Sequence, residues 1–119
     1  MTKQELLQRT KTYALRMIKA VRALPKDDVA KVLGRQLLRS GTSVGANYRA
    51  ACRAKSSADF LNKLKIVEEE CDESPYWMEL LVESEILPLR RLESLMGEGD
   101  EILALIVAAI KSTRAARIA

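Results

Sequence analysis

Ser40-Gly41-Thr42-Ser43-Val44-Gly45 is the stretch on which the fold turns. Glycine, serine, threonine and valine are all weak helix formers, so propensity alone would break a helix here. The spacing around the stretch argues the other way. Val29, Leu33, Leu37, Ser40, Val44, Asn47 and Ala51 recur on one side at about 100° per residue. One helix from about 28 to 55 therefore runs through the weak formers, with Asp27 or Asp28 as its cap.

The flanking segments read the same way. Thr2-Lys3-Gln4-Glu5 has the form of a capping box and opens a helix over about 3–24. Its apolar stripe is Leu6, Thr10, Tyr13, Met17, Ala20 and Leu24, and Pro25 ends it. Ser56 followed by Asp59 starts a third helix, about 57–84, whose inward face reads Phe60, Leu64, Val67, Cys71, Ser74, Met78 and Leu81. Pro75 inside it removes the bond to the Cys71 carbonyl and predicts a local kink. Pro88 suits the first turn of a fourth helix, about 88–114, where Gly97 and Gly99 are expected to bend or interrupt the chain. With short connections the neighbours are antiparallel. The expectation is all-α: one domain over 1–119, an antiparallel up-and-down four-helix bundle.

Composition agrees. Only 4% of residues are aromatic and 3 are proline, which favours helices over a β-sandwich. No apolar run approaches the length of a membrane span, and no leader pattern opens the chain. Two cysteines, Cys52 and Cys71, are too few for a disulfide framework and read as reduced core thiols of a cytoplasmic protein. Histidine is absent, which removes the commonest general base and metal ligand. Glu69, Glu70 and Glu73 have helical spacing that suits a cation or acid–base work, but the run reads better as a solvated or ion-paired face. With no nucleophile–base–orienter set, phosphate loop or zinc spacing, the expectation is a non-enzymatic protein without cofactor or metal.

Charge is the most function-like feature. Residues 1–55 hold 13 Lys/Arg against 3 Asp/Glu, a net of +10, and residues 56–119 hold 7 against 13, a net of −6. On the second helix Lys31, Arg35, Arg39, Arg49 and Arg53 fall within an arc of roughly 80°. Arg9, Arg16 and Lys19, with Lys11, Arg22 and Lys26, add cations on the first. Such a row can follow a phosphate backbone of RNA or DNA, or meet the acidic third helix of a neighbouring copy. Beside it Gly34, Gly41 and Gly45 form a small-residue strip suited to a close helix–helix contact, within or between subunits. Gln36, Ser40, Ser43 and Asn47 sit on or beside the apolar face and predict an inward hydrogen-bonded network. Ile66 and Trp77 mark a second apolar flank of the third helix, a candidate interface.

Gln36-Leu37-Leu38-Arg39-Ser40-Gly41-Thr42-Ser43-Val44-Gly45-Ala46-Asn47-Tyr48, then Asp59-Phe60-Leu61-Asn62-Lys63-Leu64, Glu69-Glu70-Cys71-Asp72-Glu73-Ser74 and Tyr76-Trp77-Met78-Glu79-Leu80-Leu81, also carry a resemblance. Over most of its length the chain resembles the four-helix-bundle family encoded by intervening sequences in bacterial 23S ribosomal RNA genes. The resemblance implies an antiparallel bundle that assembles as a homopentameric ring, with no defined biochemical role. A similar bundle is the accessory variability protein of diversity-generating retroelements, a basic pentamer that binds nucleic acid and a reverse transcriptase. Carried over, that likeness places nucleic-acid contacts on Arg9, Arg16, Lys19, Lys31, Arg35, Arg39, Arg49 and Arg53. The chain departs from that relative in its acidic second half and modest overall charge.

Overall fold

The structure, a computed structural model, describes residues 1–118. Four helices follow one another: α1 (Lys3–Arg22), α2 (Asp28–Ala51), α3 (Ser57–Glu83) and α4 (Glu93–Ile118), with a 3-10 turn at Leu89–Arg91. No strand occurs among the described residues. Sequence neighbours pack side by side and α1 meets α4 only sparsely, so the chain is an up-and-down bundle measuring 51 × 21 × 20 Å.

Each helix begins where its side chains satisfy the first free N–H groups. Thr2 Oγ1 accepts from the Glu5 N–H, and Asp27 Oδ2 from that of Ala30. Ser56 Oγ accepts from Asp59 N–H, while the Asp59 carboxylate reaches back to the Lys55 N–H at 3.1 Å. Helix α3 ends in a Schellman turn: Ile86 N–H bonds the Leu81 carbonyl, Glu85 N–H bonds that of Val82, and Glu85 takes φ of 65°.

The core is a single stack that includes Tyr13, Met17, Leu37, Val44, Leu64, Val67, Met78, Leu81, Leu92, Ile102 and Ile106. Helix α2 is unbroken through Ser40–Gly45, as the periodicity requires, because its glycines are packed against α1. A Cβ on Gly34 would stand 2.7 Å from Leu24 Cδ1, one on Gly41 would run into Met17, and one on Gly45 would stand 3.2 Å from the Thr10 carbonyl oxygen. The strip is thus an intramolecular α1–α2 contact.

That contact corrects part of the sequence reading. Close approach on the glycine side rolls α2 toward α1, so Ala30, Gly34, Gly41 and Tyr48 are buried. Val29, expected inward, is 54% exposed, and Asn47 is only half-buried. On α3, Leu61 rather than Phe60 is buried. Helix α2 ends at Ala51, short of the expected 55. Helix α3 is continuous through Pro75 and α4 through Gly97 and Gly99. Gly99 has a packing role: a Cβ there would lie 2.7 Å from Tyr13 Oη, a buried hydroxyl with no hydrogen-bond partner among the described residues.

The sparse α1–α4 seam is fastened by polar contacts. Arg9 Nε and Nη2 each donate to a Glu98 carboxylate oxygen at 2.8 Å, Glu101 stands 3.2 Å from Nη2, and Arg16 Nη2 donates to Ser94 Oγ at 2.9 Å. The Arg9 hydrogen bonds hold the Glu98 carboxyl below the usual glutamate range.

Two outcomes are expected. Gly41→Val should destabilise the fold by about 1–3 kcal/mol, since Met17 is fully buried and cannot withdraw. Gly97, with nothing within 4 Å of its would-be Cβ, should gain about 0.5–1 kcal/mol as Gly97→Ala. Urea denaturation of both variants checks the pair. The second outcome concerns acid. Because the folded-state value of Glu98 is depressed, its contribution is complete above the unfolded value and is lost as pH falls through the folded one. Urea midpoints taken from pH 7 down to pH 3 should fall, and fall less in Arg9→Gln.

Candidate functional site

The basic residues singled out in the sequence divide into two groups in space. Arg9 and Arg16 are spent on the α1–α4 seam. Arg39 crosses to α3, where its guanidinium bonds the carboxylates of Glu73 and, at 3.4 Å, Glu70. Arg39 holds Glu73 below the usual glutamate range, whereas burial pushes Glu70 up despite the same guanidinium. Lys31, Arg35, Arg49 and Arg53 remain exposed on the outer side of α2 with no carboxylate within 4 Å among the described residues, as does Lys19 on α1. No Asp or Glu occurs between residues 29 and 58, so nothing on α2 after Asp28 can neutralise them.

Two grooves run between α1 and α2 beside these cations. One, of about 350 Å³, has Leu7, Ala14, Gly45 and Ala46 along it and Lys11 and Arg49 at its edges. The other, of about 490 Å³, has Val21, Leu24 and Leu38 in its floor and Lys26, Lys31 and Arg35 around it. Gly45 lies along the first groove and Gly34 along the second, where each packs against α1 or the turn after it. Acidic side chains lie elsewhere: Glu69, Asp72, Glu79 and Glu83 are exposed within an arc of roughly 80° on α3, the helix diagonal to α1.

The expected inward polar network is smaller than its four residues. Ser40 alone is fully buried. Ser74 Oγ donates to Ser40 Oγ at 3.0 Å, and Ser40 Oγ donates in turn to the Leu37 carbonyl at 3.3 Å. Gln36, Ser43 and Asn47 are half-buried and turned to their own helix: Gln36 accepts from Arg39 Nε, Ser43 donates to the Arg39 carbonyl, and Asn47 Nδ2 donates to the Ser43 carbonyl. The roll of α2 that buries Tyr48 moves these three to the α2–α3 flank.

On that flank Trp77 is half-buried, its Nε1 donating to Glu73 at 3.1 Å and its ring edge-on to Tyr76 with centroids 5.1 Å apart. Ile66 is exposed, and so are Val29 and Val32 on α2. Cys71 is buried, and burial pushes its thiol up to about 12; Cys52 is half-buried and free. Among the described residues no group of His, Cys, Asp or Glu is placed to hold a metal ion, and no helix is long and apolar enough to cross a membrane.

The exposed cations that the sequence reading did not single out include Lys111, Arg114 and Arg117 at the end of α4. The signal that marks them is plain in retrospect, since no Asp or Glu follows Glu101.

With this geometry in hand, comparison with known proteins places the chain. The family model described as 23S rRNA-intervening sequence protein matches residues 2–108. A crystal structure of a protein of unknown function from the S23 ribosomal protein family of Bacteroides thetaiotaomicron VPI-5482 superposes with a TM-score of 0.84 at 38% identity, covering 89% of this chain and 98% of the other. No curated protein matches. A model that spans nearly the whole bundle, and a relative that shares both its fold and more than a third of its residues, lead to one conclusion: the chain belongs to the 23S rRNA-intervening sequence protein family.

Proposed function

We propose that the protein is a non-enzymatic scaffold that assembles with copies of itself into a ring, a pentamer as the family resemblance implies. The observation that carries this reading is the segregation of unpaired charge. Cations stand free on the α1–α2 side and carboxylates stand free on the outer face of α3. A ring is built from heterologous contacts, in which one face of a subunit meets a different face of the next. Opposite charges on two different faces suit that contact and disfavour a two-fold dimer, where each face would meet its like. The exposed Val29, Val32 and Ile66 supply apolar surface beside the charges.

Light scattering tests the ring directly. The mass expected is five times the 13.3 kDa of one chain, and a monomer would refute the reading. Reversing Arg35 and Arg49 to Glu should weaken assembly more than tenfold, since each would then face a carboxylate of the neighbour.

A second reading, nucleic-acid binding by the same edge, is favoured by one observation: Lys31, Arg35, Arg49 and Arg53 have no carboxylate partner among the described residues. At about 1.5 Å per residue the row spans roughly 33 Å of phosphate backbone. Anisotropy of a labelled RNA or DNA between 50 and 200 mM KCl should show log Kobs falling with log[KCl] at a slope of about −3 for four contacts. Changing Arg35 and Arg49 to Ala in the assembled protein should reduce that slope by about 1.5 to 2. Absence of binding at 50 mM, or a slope unmoved by the substitutions, would leave the stripe to assembly alone.

A further inference from the structure

The last two turns of α4 lie past the residues that the family model matches. The family model ends at residue 108, and the last fully buried residue of α4 is Ile110. From Lys111 to Ile118 every residue but the half-buried Thr113 is exposed, yet the segment is helical throughout. About 12 Å of helix therefore has little packing to hold it. It forms because the packed part of α4 supplies the nucleus, and adding further turns to a formed helix is close to neutral. Nothing in the core requires these residues.

Their chemistry is one-sided. Lys111, Arg114 and Arg117 carry the segment's only charges, and none has a carboxylate within 4 Å among the described residues. Antiparallel order sets the segment at the same end of the bundle as the first turn of α1 and the last turn of α2. That end already carries Lys3, Arg49 and Arg53, all exposed. Of the acids near that end by chain position, Asp59 is paired with Lys63 at 2.7 Å, and Glu5, which accepts from the Thr2 hydroxyl, keeps one negative charge there. That end of the bundle thus carries exposed cations on α1, on α2 or just after it, and on the part of α4 past the residues that the family model matches.

We infer that the α4 extension is a phosphate-backbone contact, so that RNA or DNA is gripped at the end of the bundle by Lys111, Arg114 and Arg117 together with the end of the α2 stripe. The inference rests on the nucleic-acid reading above and names the element that the stripe alone does not include. A membrane surface is the poorer fit, because the extension carries one large apolar side chain, Ile118, where an interfacial helix needs an apolar face.

The test uses the full chain with Lys111, Arg114 and Arg117 all changed to Gln, a residue of good helix propensity at exposed positions. Anisotropy of a labelled single-stranded RNA is followed across KCl. The expected result is a salt slope smaller in magnitude by about 2, with affinity at 100 mM KCl lowered tenfold or more. A companion, Lys111→Arg with Arg114→Lys and Arg117→Lys, keeps the charges and should keep the slope. An unchanged slope in the Gln variant, alongside a reduced one in the Arg35/Arg49 variant, would overturn this inference and leave the stripe reading standing. Failure of the unaltered protein to bind at 50 mM KCl would remove both. Sedimentation with phosphatidylserine vesicles that depends on the three cations, while RNA binding does not, would also overturn it in favour of a membrane surface.

Discussion

The approach of α1 to α2 across Gly34, Gly41 and Gly45 is the constraint that the rest of the molecule follows. Helices with ordinary side chains at the contact sit 8–10 Å apart, and glycine lets them come to the near end of that range. Leu24, Met17 and the Thr10 carbonyl fill the room that three missing side chains leave. To reach that fit α2 must roll its glycine side inward. The roll buries Ala30 and Tyr48, sends Ser40 across to Ser74, and turns Val29, Gln36, Ser43 and Asn47 toward the α3 flank.

The same roll sorts the charges. With the glycines against α1, the arc that carries Lys31, Arg35, Arg49 and Arg53 is left on the open side of the α1–α2 pair. Arg39 sits at the α3 edge of that arc, within reach of Glu70 and Glu73. Arg9 and Arg16, on the other side of α1, meet α4. Cations of one composition thus serve two purposes. Some close the bundle where apolar packing is thin, and some stand exposed without a carboxylate within 4 Å among the described residues. An exposed ion pair contributes little to stability, so the value of the Arg39–Glu73 contact is more in setting the register of α2 against α3 than in holding them together.

The family places the fold and leaves the activity open. Among the described residues the surface has unpaired cations on one side and unpaired carboxylates on another, with Trp77 half-buried on the α2–α3 flank. The buried, high-pKa Cys71 and the buried Tyr13 hydroxyl, which burial likewise pushes upward, are core groups that stay protonated at neutral pH.

The bundle was legible in the sequence because a 3.6-residue period survives even where propensity fails. Ser40–Gly45 stays helical because Leu37, Val44 and Ala51 keep their spacing through it. The caps at Thr2, Asp27 and Ser56 were equally legible, since a side chain three residues from its backbone partner needs no tertiary information. What periodicity could not decide was the rotation of each helix about its own axis. Val29 and Phe60 lie within a turn of the true inward line, and only the α1–α2 approach says which side of that line is buried. The pairing of long cations was beyond it too. Arg35 and Arg39 have the same chemistry and are one turn apart, yet one is free and the other is bound to Glu73. A sequence determines how many charges a helix carries; the neighbouring helix's carboxylates, brought near only by packing, decide which of them are paired.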